Sequence, residues 1–427
     1  MLNTSGLSLA NTPPYSVPLG FFLMAPLFAL VAGVLLMTAP EYALTSRWTP
    51  TVLATTHLLV LGFITSIMCG SLLQILPVLI GTRRVVTART AGTMVVMLGG
   101  GTALLSAGLL LTHGPLSWVG AALCVGMLLA FAFEVIRALA ASSGLRRIRW
   151  SVALAVFALI VTVFMGAMLI GSRSGWPASG VDKSWTDVHL AWGLAGWMGL
   201  LLIGVAGELL PMFYLSPPPA QWLMRALPWA ITGLLLSLSW MAWIGEAVAL
   251  PVVLPIGLLL SFGGFAIAGF VSQLKRRRPR RDPTLGFWWL GQASILLAAV
   301  AWLMQAPVVL TGVLLIVGAG MSFTCGTLFK IVPFLSWYHL QATKVKRRRT
   351  DVKLPTMQGF IGDTVAHWQL AIHTAATALL AIGAWWHAPT VWTGGLLLAG
   401  SALLLWYALL RAAWRYRRIA RTLTRAA

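Results

Sequence analysis

Apolar residues run in stretches of about twenty along almost the whole chain, parted by short polar turns, and no stretch shows the alternation of a strand. That pattern predicts an all-α polytopic membrane protein of twelve transmembrane helices, at about 18–38, 50–80, 92–112, 116–140, 151–171, 186–214, 227–247, 251–274, 285–305, 307–341, 364–386 and 390–416. A transmembrane barrel is excluded, because the segments are far longer than barrel strands and lack their period of two.

The second, sixth and tenth helices share one pattern, Gly-x7-Gly-x3-polar-x2-Pro, without a gap in any copy. The copies are Gly62, Gly70, Gln74, Pro77; Gly196, Gly204, Glu208, Pro211; and Gly318, Gly326, Lys330, Pro333. A repeat of this kind fixes architecture, here three pseudo-symmetric arcs of four helices. The glycines are expected to pack closely around a common axis, with each polar residue on the face of the glycine one turn before it. Gln74, Glu208 and Lys330 would then share one depth, and Glu208 and Lys330 would form a buried ion pair. The bland reading is that Glu208 and Lys330 snorkel to the nearby surface.

Composition adds that 59% of the residues are hydrophobic and 9% charged, so lipid is the solvent and the membrane the first partner. No loop is long enough for a soluble core, and residues 1–427 form a single integral membrane domain. The net charge of +21 suggests a nucleic-acid partner only until its residues are placed. Arg83, Arg84, Arg89, Arg137, Arg146, Arg147, Arg149, Arg225, the run Lys275–Arg281, the run Lys344–Lys353 and the run Arg411–Arg425 all follow even-numbered helices. Arg47, Arg173 and Lys183 are left for the odd loops. The positive-inside rule then puts both termini in the cytoplasm, in a bacterial inner membrane, and predicts no nucleic-acid partner. The first seventeen residues hold no Lys or Arg and no cleavage signature, so a removable signal peptide is not expected.

Histidine at membrane depth is costly enough to mark a candidate site. His57 and His189 open the second and sixth helices, twenty and twenty-two residues before their repeat prolines. Both helices run the same way, so the rings differ in depth by roughly 3 Å. Such a pair could clamp a haem iron or hold a copper, with Asp187 beside His189 as its orienting carboxylate. Alternatively each ring caps a helix end in the headgroup region. A second group, His339, His367 and His373, lies toward the other face. His367 and His373 project roughly 120° apart on one helix and need partners from elsewhere to chelate, while Asp363 is placed to orient His367. His113 and His387 fall in short outer loops and are read as solvated.

Cys69 and Cys325 hold equivalent repeat positions, and soft sulfur ligands in a dry site would suit Cu(I), although buried cysteine is commonly a small hydrophobe. Three cysteines inside helices give no disulfide framework. The twenty-one tryptophans cluster largely at helix ends, as an interfacial belt does. No phosphate-cradling loop, Ser/His/Asp set, CxxC, CxxCH or HExxH pattern occurs.

Twelve helices in three arcs with His57 at the outer end of the second resemble the haem-copper oxidase subunit I-like superfamily. Within it, His57-Leu-Leu-Val-Leu-Gly62-Phe63 with Gly70 and Pro77 is most similar to the NnrS family of haem- and copper-containing membrane proteins. The stretch Val188-His189 to Pro211-Met-Phe is similar to oxidase-like relatives. The resemblance implies a b-type haem at His57, in electron transfer or a nitric oxide or respiratory stress response, with other respiratory subunits or a redox donor as partners. It also breaks in places: residues 307–320 and the seventh helix contain no histidine, and no tyrosine follows His189 at the cross-linking spacing. A dioxygen-reducing centre is therefore not expected, and any enzymatic role would be that of another oxidoreductase. The alternative is a cofactor-free transporter or assembly protein on the same scaffold, centred on Gln74, Glu208 and Lys330.

Overall fold

The computed structural model describes residues 12–80, 86–141, 146–174, 185–244, 253–277, 282–386 and 389–424. Arg83, Arg84, Lys183, His387 and Arg425, and part of the basic run ending at Arg281, lie outside them. Twelve helices among the described residues are long and apolar enough to cross a membrane. They are α1 (Ser16–Thr38), α2 (50–80), α3 (Ala88–Leu110), α4 (Gly114–Ala140), α5 (Arg146–Arg173), α6 (Trp185–Tyr214), α7 (Gln221–Ile244), α8 (Val253–Leu274), α9 (Pro283–Leu303), α10 (Val308–Lys346), α11 (Asp363–Trp386) and α12 (Thr390–Thr424). Hydropathy placed each span and missed mainly the amphipathic ends, since α10 and α12 run on into their basic tails. The starts are written in capping chemistry. Val52 donates its N–H to Thr49 Oγ1 (3.2 Å) and Thr284 donates to Asp282 Oδ1 (3.0 Å), each with a proline opening the helix. Exposed His113 caps α4 in the same way, accepting from Leu116 N–H at 3.3 Å.

Helix α4 packs on α5, α8 on α9, and α12 back on α1, so the arcs close into a ring. Gly33 and Gly395 mark that closure, where a Cβ on either would lie 2.6–2.7 Å from the other's carbonyl oxygen. Inside the ring stand α2, α6 and α10, whose spans are 78%, 78% and 72% buried against 28–56% for the others. The outer helices turn large apolar side chains such as Phe133, Phe164, Leu260 and Leu297 outward, as a lipid-facing wall must.

Each inner helix carries a π-helical stretch, at Leu58–Thr65, Trp192–Leu200 and Leu314–Met321. All three begin nineteen residues before the repeat proline, so the duplication extends to a backbone irregularity no composition rule announces. A π turn misaligns main-chain carbonyls, and two equivalent ones find side chains: Leu61 O accepts from Ser66 Oγ (3.2 Å) and Val317 O from His373 Nε2 (3.1 Å).

The repeat glycines do not line the common axis. A Cβ at Gly62 or Gly70 would strike Phe28 or Phe21 of α1, at Gly196 or Gly204 Ala158 or Ser151 of α5, and at Gly318 or Gly326 Ser294 or Phe287 of α9, all at 2.3–2.9 Å. Each inner helix thus uses its glycines to seat the first helix of its own arc. The axis is lined by other equivalent triplets, Ile67, Leu201 and Phe323, Met68, Leu202 and Thr324, and Ser71, Val205 and Thr327, around an apolar cavity of about 70 Å³. Tryptophan also departs from a pure belt: Trp192, Trp197 and Trp288 are fully buried.

Candidate functional site

A larger cavity, of about 440 Å³, opens between α2, α4, α5, α6 and α10 at the end of the bundle away from the basic loops. His57 and His189 both line it. His57 closes the first α-helical stretch of α2, and its Nδ1 lies 2.7 Å from Leu53 O. His189, from the first turns of α6, has Nδ1 3.1 Å from Thr162 O on α5. A carbonyl oxygen can only accept, so Nδ1 carries the proton in both rings. The Nε2 lone pair of each neutral ring is then left to act as acceptor or ligand. Gly166 makes room for the second ring, because a Cβ there would sit 3.1 Å from His189 Cε1.

The rest of the wall is chiefly apolar, with three polar features. Thr55 is buried and its Oγ1 has no partner among the described residues; in the repeat it stands where His189 stands, twenty-two residues before the proline. Trp197 Nε1 donates to Thr65 Oγ1 (3.1 Å), tying α6 to α2 across the cavity floor. At the mouth Arg47, lying over Trp48 at 4.7 Å, forms an ion pair with Asp187, and Arg173 lines the same rim. Asp187 therefore does not orient His189, as expected from their proximity in sequence; its carboxylate turns to Arg47 and a main-chain carbonyl orients the ring. Thr55 was missed because a threonine near a helix start reads as an ordinary cap, although its register against His189 was available.

The other three histidines occupy separate surroundings. His373 is fully buried between α10, α11 and α12, donating from Nε2 to Val317 O, with Nδ1 3.5 Å from Ser401 Oγ. Its Nε2 proton is thus committed to α10, and its remaining lone pair, on Nδ1, faces Ser401. His367 is exposed and donates from Nδ1 to the main-chain oxygen of Asp363 (2.8 Å), so the orienting group is that carbonyl rather than the carboxylate. His339 packs edge-on against Tyr15 and Tyr338, with ring centroids 5.8 and 5.7 Å away. Both repeat cysteines are buried, and Cys325 Sγ accepts from Gln369 Nε2 at 3.7 Å. Among the described residues no group of three or more His, Cys, Asp or Glu converges.

Gln74, Glu208 and Lys330 do keep the glycine face, but that face looks toward the first helix of the arc, and none of the three lines the axial cavity. Lys330 accordingly forms its ion pair with Asp282, the N-cap of α9, where a pair with Glu208 was expected. Thr284 donates its hydroxyl to Asp282 Oδ1 (2.7 Å) and shares a hydrogen bond with Tyr214 (3.0 Å), and Lys330 Nζ lies 5.7 Å from the Tyr214 ring centre. Burial works to raise the Asp282 carboxyl, but the Lys330 charge and the hydrogen bonds from Lys330 and Thr284 outweigh it and hold the group below its ordinary value. Gln74 is buried, and its Oε1 lacks a partner among the described residues. Asp282 lies 48 residues from Lys330 in sequence, and no local pattern joins the two.

Fold and site together define a twelve-span helical membrane protein with a threefold internal repeat and a two-histidine cavity between its first two inner helices. A scan against protein-family models found no match to the chain, and a search of curated proteins found none either.

Proposed function

We propose that the α2/α6 cavity holds a b-type haem with His57 and His189 as iron ligands, and that the protein serves electron transfer or nitric oxide and respiratory stress handling in a bacterial inner membrane. One observation carries this: two histidines from different helices fix their protons on main-chain carbonyls and leave Nε2 to the same large, mostly apolar cavity. That is how proteins prepare imidazole for a metal. The apolar wall suits a macrocycle, and Arg47 and Arg173 at the rim suit its acidic groups. When bound, the haem would supply one-electron chemistry at its iron. The chain's own part is to hold both rings in one tautomer, to keep bulk water from the apolar wall, and to close the mouth with the Arg47–Asp187 pair. The sequence resemblance to haem-copper oxidases and to NnrS proteins favours the same reading, as does the alternation of basic loops for a cytoplasmic placement of both termini.

The test is the optical spectrum of the purified full-length protein, oxidised and dithionite-reduced, after expression with ample haem. A Soret band that shifts on reduction and is lost or weakened in both His57→Ala and His189→Ala is expected. No band in the wild type, or a spectrum indifferent to both substitutions, rejects the proposal and leaves the cofactor-free scaffold as the better reading.

A further inference from the structure

The three inner helices meet in a second place. Ile64, Met198 and Gly320 occupy one repeat position, and a Cβ on Gly320 would lie 2.6 Å from Ile64 Cδ1 and 2.9 Å from Met198 Sδ. This triplet lies level in the repeat with the Trp197–Thr65 hydrogen bond, and next along the three helices opens the axial cavity of about 70 Å³, which Met198 and Gly320 also line. Its volume exceeds the share of one liquid water, roughly 30 Å³, but a water needs two to four polar partners to stay. The wall offers few: it is almost wholly apolar, and the Thr324 hydroxyl is turned onto Gly320 O and Met321 O at 2.8 and 3.0 Å. Met68, Met198, Trp288 and Phe323 supply polarizable thioether and aromatic surface instead.

The void also has a structural cause. Three arcs each pull an inner helix outward through its glycines, and the third copy has no side chain in the closing layer, so equivalent residues of modest size cannot fill the centre. We propose that this axial cavity is a binding site for a small apolar gas molecule of diatomic size. Such molecules partition into the surrounding bilayer and gain dispersion contacts in an apolar cavity without needing a hydrogen bond. The site rests on the axis alone and not on any cofactor at His57.

Xenon is the probe. Crystals of the full-length protein pressurised with xenon are expected to show one anomalous peak on the axis among Met68, Met198 and Phe323. The peak should vanish in Val205→Phe, which fills the void from α6, with Ser71→Leu as a second filling variant from α2 should the first not fold. It should gain occupancy in Met68→Ala. An axis without xenon in the wild type, an ordered water there, or an undiminished peak in a folded filling variant overturns the proposal.

Discussion

A histidine near a helix start is ambiguous until its two nitrogens are assigned, and in His57 and His189 the assignment is made by neighbours, Leu53 O and Thr162 O. The second depends on Gly166 of α5. Gly166→Val puts carbon where the ring lies, so the variant is expected to keep its helical circular dichroism and thermal midpoint within a few degrees while losing cofactor absorbance much as His189→Ala does. Unchanged absorbance would show that the ring has room to spare. The Lys330–Asp282 pair makes a second test at this scale, with both side chains about three-quarters buried. Because the folded Asp282 carboxyl lies below its unfolded value, its contribution is present above the ordinary carboxylate pKa and is lost as pH falls through the folded one. Thermal midpoints should therefore drop more steeply for the wild type than for Asp282→Asn between about pH 5 and pH 3. Lys330→Ala, which strands the carboxylate, is expected to destabilise by roughly 1–3 kcal/mol at neutral pH. Equal acid slopes in wild type and Asp282→Asn would remove the pair from the stability account.

At the scale of the helix, the repeat glycines and the π-helical stretches do different work. Close approach is the role of the glycines. A Cβ at Gly326 would lie 2.9 Å from Phe287 Cβ and 3.0 Å from Thr284 O, and neither a β-carbon nor a main-chain oxygen moves cheaply. Gly326→Ala is thus expected to cost about 1–3 kcal/mol of stability, or the corresponding fall in thermal midpoint. Gly233→Ala on α7, with nothing within 4 Å of the new carbon, should be neutral or slightly stabilising. Equal effects would deny the glycines a packing role. The π-helical stretches matter for reading faces. A 3.6-residue spacing carries an error of direction past Leu58, Trp192 and Leu314, and the glycine face is found against α1, α5 and α9 rather than on the axis.

For the molecule as a whole, α12 closes the ring on α1, and the alternation of basic loops predicts which way it faces in a bilayer. Reporter fusions after α2, α4, α8, α10 and α12 should register the cytoplasmic side, and fusions after α1 and α5 the opposite one. Reversed signals would move the His57 cavity to the cytoplasmic face.

Hydropathy and a gapless motif were enough to determine twelve helices and their threefold repeat, because span length and glycine spacing are local properties of a chain in lipid. The caps at Thr49 and Asp282 act on the next few residues and so are local too, but hydropathy alone does not show them. The partners were decided only by tertiary structure: Asp187 with Arg47 rather than His189, Lys330 with Asp282 rather than Glu208, His373 with the Val317 carbonyl. Each joins residues far apart in sequence, across interfaces whose facing is set by helix rotation, and a π turn alters that rotation without changing composition or hydropathy.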